Sequence, residues 1–172
     1  MPVRRPGRAV GFAYRGLFAY LVTCCTYARR QHFARATTAR DVLSQILQAA
    51  RARHFAVLAY CLMPDHLHLV VEGTRADASL PGLVSSFKQR SGFKHARTAD
   101  TRLWQVGYHD RVLRRDESLL QTIAYVLNNP VRAGIVQRPE DYPWSGSDRY
   151  TMDELLTDIA RGRRNGTARC RR

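Results

Sequence analysis

Apolar residues along this chain fall into short continuous runs and spaced stripes, and the two patterns alternate. "LFAYLVTCCTY" (17–27) is rich in β-branched and aromatic residues and free of Gly and Pro, which predicts a buried strand. Val42, Leu43, Ile46, Leu47 and Ala50 then recur at helical spacing. They predict a helix running to about Arg53, with Thr37 or Thr38 as its N-cap. A second strand, "FAVLAYCLM" (55–63), stops at Met63-Pro64-Asp65, where the chain reverses into a third strand over 66–72 and makes an antiparallel hairpin. Ser79 stands before Leu80-Pro81 as an N-cap before a first-turn proline, and Leu80, Leu83, Val84 and Phe87 form the apolar stripe of a second helix. "YHDRVLR" (108–114) predicts a fourth strand. A third helix follows from a cap at Asp116 to Asn129, ended by Pro130. Residues 131–150 read as irregular, and a short helix around 152–161 precedes the tail "RGRRNGTARCRR", too charged and Gly-rich to pack.

The order β α β β α β α predicts an α+β fold, a ferredoxin-like (RRM-like) antiparallel sheet with helices on one face. A length of 172 residues suits one domain with a real core. The expected division is a basic flexible arm over 1–15, one domain over 16–150, and a short helix with a basic tail over 151–172. No internal repeat is present, and no run reaches the ~18 apolar residues of a membrane span.

Charge changes this picture more than composition does. The apolar fraction of 45% is that of a globular protein, but the formal charge of +14 leaves a surface that repels itself unless an anionic partner neutralises it. Nucleic acid is the expected partner. Lys88 and Lys94 are the only lysines, and an arginine bias follows from genome composition as readily as from function, so the net excess carries the argument. Cys24, Cys25, Cys61 and Cys170 have no zinc-like spacing, which predicts a reduced, intracellular protein, and with nucleic acid as partner the expected location is cytoplasmic and nucleoid-associated. Arg4, Arg5 and Arg8 ahead of "LFAYLVTCC" imitate a signal peptide, but Arg15 lies close to the apolar run and no small-residue cleavage pattern follows.

Two stretches carry candidate chemistry. In "YCLMPDHLHLVVEG" (60–73), strand alternation puts His66, His68, Val70 and Glu72 on one face and Leu67, Leu69 and Val71 on the other. The two imidazoles project together, roughly 7 Å apart along the strand, a spacing that suits two ligands of one metal ion. Read alone, the pair equally describes two half-exposed histidines with hydrogen-bonded rings. In "ESLLQTIAYVLNNPVRAGIV" (117–136), a turn of about 100° per residue groups Leu119, Leu120, Ile123 and Leu127 as the core stripe. Tyr125 points nearly opposite, sharing the polar face with Ser118, Gln121, Asn128 and Asn129. Asn129 stands one turn beyond Tyr125, and also suits a helix end before Pro130.

"YCLMPDHLHLVVEG", "LWQVGYHDRVLR" and "IAYVLNNPVRAGIV", in that order, resemble the single-tyrosine HUH (IS200-like) transposases, most closely their REP-associated tyrosine branch. The similarity runs from about Leu17 to Ser147. It implies the ferredoxin-like fold and a divalent metal, Mg²⁺ or Mn²⁺, on His66 and His68. The third ligand implied is a polar residue one turn after the nucleophile, which is Asn129, with Asn128 directly beside it. The nucleophile implied is Tyr125, attacking single-stranded DNA beside a hairpin to give a 5′-phosphotyrosine and a free 3′-hydroxyl. Such a substrate needs a basic groove; the candidates are Lys88, Arg90, Lys94 and Arg97 on or after the second helix, and Arg114 and Arg115 before the third. Trp104 and Tyr108 either stack bases or anchor the sheet.

Two other classes compete. The same sheet topology serves non-catalytic single-stranded nucleic-acid-binding modules, which would bind without cutting. A zinc hydrolase has His66 and His68 available, but no third nitrogen or sulfur ligand and no placed general base. Nothing in the sequence decides between a monomer and a homodimer.

Overall fold

The computed structural model describes residues 13–99, 101–113 and 119–169, with side chains to residue 162. Five strands, β1 (Ala19–Cys25), β2 (Phe55–Met63), β3 (His66–Gly73), β4 (His109–Leu113) and β5 (Ser145–Gly146), form one sheet in the order β4-β1-β3-β2-β5. Every pairing is antiparallel. The first four strands reproduce the expected ferredoxin-like order, and β5 extends it at the β2 edge.

The sheet is covered on both faces. Helix α1 (Ala36–Ala52) and helix α2 (Leu80–Ala96) lie on the first, where Val42, Ile46, Leu83 and Phe87 pack with Tyr20, Val22, Leu67, Leu69 and Val71. The sequence predicts the helices together on one face; α1 and α2 share this one, whereas the third helix does not. Helix α3 (Leu119–Leu127) and helix α5 (Met152–Arg169) cover the opposite face, where Ile123, Leu127, Leu155 and Ile159 share a core with Ala59, Cys61 and Val70. Alternation along β3 makes this possible, because Leu67, Leu69 and Val71 feed one core while Val70, between them, feeds the other.

Several boundaries differ from those read in the sequence. Thr37 and Thr38 do not cap α1: the helix starts at Ala36, Arg35 is its N-cap and no side chain fills the cap, so both threonines lie in its first turn. Ser79 does cap α2, accepting from the Gly82 amide at 3.4 Å. Tyr14 belongs to the body rather than to an arm, stacked on Tyr20 with ring centroids 6.1 Å apart. Pro130 does not end helical structure. It sits in the first turn of a short helix α4 (Asn129–Arg132), where a missing amide hydrogen costs nothing. The segment read as irregular also contains β5, too short at two residues to show a period. Helix α5 continues into the charged tail, started by a capping box in which Thr151 and Glu154 bond each other's backbone amides. The expected cap at Asp116 lies outside the described residues. Among those residues, no helix is long and apolar enough to cross a membrane.

Gly73, at the end of β3, is a packing constraint that can be tested. A Cβ there would stand 2.0 Å from the Gly16 carbonyl oxygen, a backbone atom that cannot swing aside. Gly73→Ala should therefore cost about 1–3 kcal/mol and lower the thermal midpoint by several degrees. A midpoint unmoved in a thermal melt would show that the 16–18 segment gives way freely.

Candidate active site

His66 and His68 stand at the start of β3, where register and turn geometry supply each ring with a partner. Thr23 lies directly opposite His68 in the β1–β3 ladder, and its Oγ1 is 3.0 Å from His68 Nδ1. Asp65, the last residue of the turn between β2 and β3, places Oδ1 2.6 Å from His66 Nδ1. Its other oxygen is held by Arg29 Nε at 2.9 Å. With both Nδ1 atoms engaged, the rings turn edge to face at 89°, and their Nε2 atoms meet at 3.1 Å. The strand period alone suggested a much wider gap; the rings close it by tilting.

The protonation of this pair is constrained. A carboxylate only accepts, so His66 directs its Nδ1–H at Asp65 and its other nitrogen at His68. Two lone pairs cannot face each other at 3.1 Å, and one proton or one cation has to lie between them. Two nitrogens bound side by side to one ion at about 2.1 Å each stand about 3 Å apart, so the donor set fits a shared divalent cation. Burial first, and then the neighbouring His66, Arg29 and Arg132, push His68 down to about 4, which leaves its ring neutral and able to ligate at neutral pH. Among the described residues, no group of three or more His, Cys, Asp or Glu is arranged to hold a metal, so a third protein donor would be of another type.

Helix α3 brings the tyrosine to this pair. Thr122, Ile123, Ala124, Val126 and Leu127 are buried against the sheet while Tyr125 is 44% exposed, the outward position the helical wheel predicts for it; Leu120, expected in the core stripe, is instead exposed. Its ring meets that of His68 edge on, with centroids 5.9 Å apart. On the other side the Arg132 guanidinium lies 5.0 Å from the Tyr125 ring centroid. Asn129 donates its side-chain amide to the carbonyls of Tyr125 at 2.8 Å and Val126 at 3.3 Å; Asn128 donates to Ala124 at 2.8 Å. Both therefore sit as helix-end amides. Because the nitrogen of Asn129 is turned back to the helix, its Oδ1 is the atom left for a ligand.

The basic candidates divide. Arg90, Lys94 and Arg97 are exposed on or after α2, with Lys94 paired to Asp41 at 2.6 Å. Lys88 is half-buried, donates to the carbonyls of Gln105 and Gly107 at 2.7 and 2.6 Å, and so anchors that loop. Trp104 is an anchor too: it is buried, with its indole nitrogen 2.8 Å from Ser91 Oγ. Arg114 and Arg115 lie outside the described residues. Sequence reasoning missed four residues around the pair: Thr23, Asp65, Arg29 and Arg132. Asp65 had a signal, lying next to His66, whereas Thr23 becomes visible only once the strand register is known.

Residues 16–129 match the model of the family described as "Transposase IS200 like". The chain belongs to that family. Proteins described as REP-associated tyrosine transposases are similar to it. That of Haemophilus influenzae is 25% identical over 120 residues, covering 60% of this chain and 65% of its own length. That of Escherichia coli is 26% identical over 117 residues, covering 68% and 64%. The chain thus spans just under two thirds of the length of these relatives. A solved REP-associated tyrosine transposase bound to a REP hairpin shares the fold, with a TM-score of 0.69 at 22% identity over 91% of this chain and 87% of that one. Family membership implies metal dependence in general terms.

The buried, neutral His68 gives a pH signature. In the unfolded chain histidine takes up its proton below about 6.5, whereas the folded ring resists it until about 4. The folded state binds fewer protons in that window, so this contribution is complete above pH 6.5 and declines as pH falls toward 4. In chelator, the urea midpoint of the wild type should fall more between pH 7 and pH 5 than that of His68→Asn. Equal falls would mean that His68 does not resist protonation.

Proposed function

We propose that the chain is a metal-assisted single-stranded DNA transposase that cleaves and rejoins DNA through a 5′-phosphotyrosine, with Tyr125 as nucleophile. The observation that carries this reading is the edge contact between Tyr125 and His68, itself joined to His66 through facing Nε2 atoms. A nucleophile and a paired nitrogen donor set lie on the same face of the sheet, and Tyr125 is open to a substrate.

Each residue has a stated task. The Tyr125 oxygen attacks a phosphorus of the DNA backbone and loses its proton to solvent, while the 3′-oxygen leaves with the bonding pair and takes up a proton to become a 3′-hydroxyl. A Mg²⁺ or Mn²⁺ held by His66, His68 and Asn129 supplies positive charge against the non-bridging phosphate oxygens when bound. Asn129 is favoured over Asn128 because its side chain bonds the Tyr125 carbonyl, while that of Asn128 follows the buried Ala124. Asp65 and Thr23 hold the rings so that both Nε2 atoms converge. Arg132 adds a cation beside the phenol, where it offsets the charge left on the oxygen as the proton departs. The phosphotyrosyl bond keeps the energy of the phosphodiester, so a second 3′-hydroxyl can reverse the step without ATP.

The substrate in this reading is a single strand flanking a hairpin, supported by the REP hairpin bound to the structural relative. Arg90, Lys94 and Arg97 are the exposed cations offered to its phosphates.

Incubation with hairpin-bearing single-stranded DNA and Mn²⁺ should yield a protein–DNA species that survives denaturation, and Tyr125→Phe should abolish it while retaining DNA binding. Tight binding with no adduct in the wild type would instead identify a non-catalytic binding module. Adduct formed undiminished by His66→Ala and His68→Ala would remove the metal from the mechanism.

The support given to the rings is separately testable. Asp65→Asn should weaken Mn²⁺ binding by about 10–100-fold, followed by calorimetric titration. Unchanged affinity would show that the carboxylate orients nothing.

A further inference from the structure

Arg29 reaches the candidate site from a stretch of backbone that ordinary residues avoid. Ala28 (φ 53°, ψ 26°) and Arg29 (φ 55°) stand side by side in the left-handed region, and neither is a glycine. A Cβ crowds its own backbone there, so two such residues in succession persist only where the surroundings hold them. Both ends of this loop are held. The Thr26 amide donates to the Asp65 carbonyl at 3.0 Å, and the Thr26 hydroxyl donates to the Arg30 carbonyl at 2.7 Å. Further on, the Phe33 amide donates to the Pro64 carbonyl at 3.0 Å. The loop after β1 is thereby fastened to the turn between β2 and β3, with Thr26 and Phe33 both buried.

This course lays the Arg29 guanidinium across the two segments behind His66. Its Nε is 2.9 Å from Asp65 Oδ2, and its Nη1 donates to Cys25 Sγ at 3.0 Å. Cys25 is the residue opposite His66 in the β1–β3 ladder. As a source of stability the ion pair is poor, because the Arg29 side chain is half exposed and solvent leaves such pairs worth little. Its geometric effect is larger. Asp65 Oδ1 is 2.6 Å from His66 Nδ1, so with Oδ2 taken by Arg29 the carboxylate is fixed on both sides and cannot turn away from the ring.

We propose that Arg29 is a positioning residue of the metal site, locking the Asp65 carboxylate in the orientation that directs His66 Nε2 toward the cation. The strained backbone at Ala28 and Arg29 is what brings the guanidinium to that carboxylate.

The inference rests on the reading of His66 and His68 as a metal-holding pair, and its first test needs no metal. In the full chain with chelator, the hydrogen-bonded Nδ1 proton of His66 should give a resolved NMR signal in the wild type and lose it to solvent exchange in Arg29→Asn. Asparagine tolerates the left-handed region, so the loop keeps its course in this variant. In calorimetric titration, Arg29→Asn should weaken Mn²⁺ binding about three- to tenfold. In an Asp65→Asn background the same change should cost less than about twofold, since an arginine that acts through the carboxylate has nothing left to position. A merely structural role would cost the same in both backgrounds. No His66 signal in the wild type, a signal that survives in Arg29→Asn, or an undiminished cost in the Asp65→Asn background would each overturn the proposal. A wild type that takes up no Mn²⁺ would remove the metal reading and leave the ring-proton test of Arg29 standing.

Discussion

Two imidazole nitrogens facing each other at 3.1 Å set the terms for the candidate site. Each ring is fixed from behind, by the Asp65 carboxylate for His66 and the Thr23 hydroxyl for His68, so neither can rotate away without giving up a hydrogen bond. Held this way, the pair needs a shared proton or a shared cation. Burial disfavours an added proton on His68, so at neutral pH its ring is uncharged and its nitrogen is available to a metal ion. The positions of Thr23, Asp65, Arg29 and Tyr125 all bear on this one gap.

The two-sided sheet explains how such a gap is kept rigid. One core, under α1 and α2, locks β1 and β3 together through Tyr20, Val22, Leu67 and Leu69. That fixes the register in which Thr23 opposes His68, because a slip of one residue would carry Leu67, Leu69 and Val71 from one core to the other face of the sheet. The second core, under α3 and α5, seats Ile123 and Leu127 and so points Tyr125 outward beside His68. Pro130 begins α4 rather than closing the helical segment, and this continuation carries Arg132 back over the tyrosine ring.

Much of this could be read from the residues. The hairpin of β2 and β3, the Ser79 cap, the outward face of Tyr125 and the shared face of the histidines follow from period and turn chemistry, which are local. What escaped depends on distant partners. Thr23 and His68 are 45 residues apart, and only the strand register brings them together. Lys88 looked like a free cation because its sequence neighbours are polar, yet carbonyls from the loop at 105–107 hold it. Trp104 offered two readings, and Ser91 and the ring of Phe87 decide for anchoring. Burial of α3 on the sheet face opposite α1 and α2 was likewise hidden, since an apolar stripe says that a helix is covered and not which face of the sheet covers it.

The convergence of His66 and His68 on one cation beside Tyr125 is tested most directly by crystallising Tyr125→Phe with Mn²⁺ and single-stranded DNA and recording manganese anomalous scattering. The expected result is a single strong peak within bonding distance of both Nε2 atoms and of a DNA phosphate oxygen. A peak bound elsewhere, with the two Nε2 atoms still sharing a hydrogen bond, would contradict it.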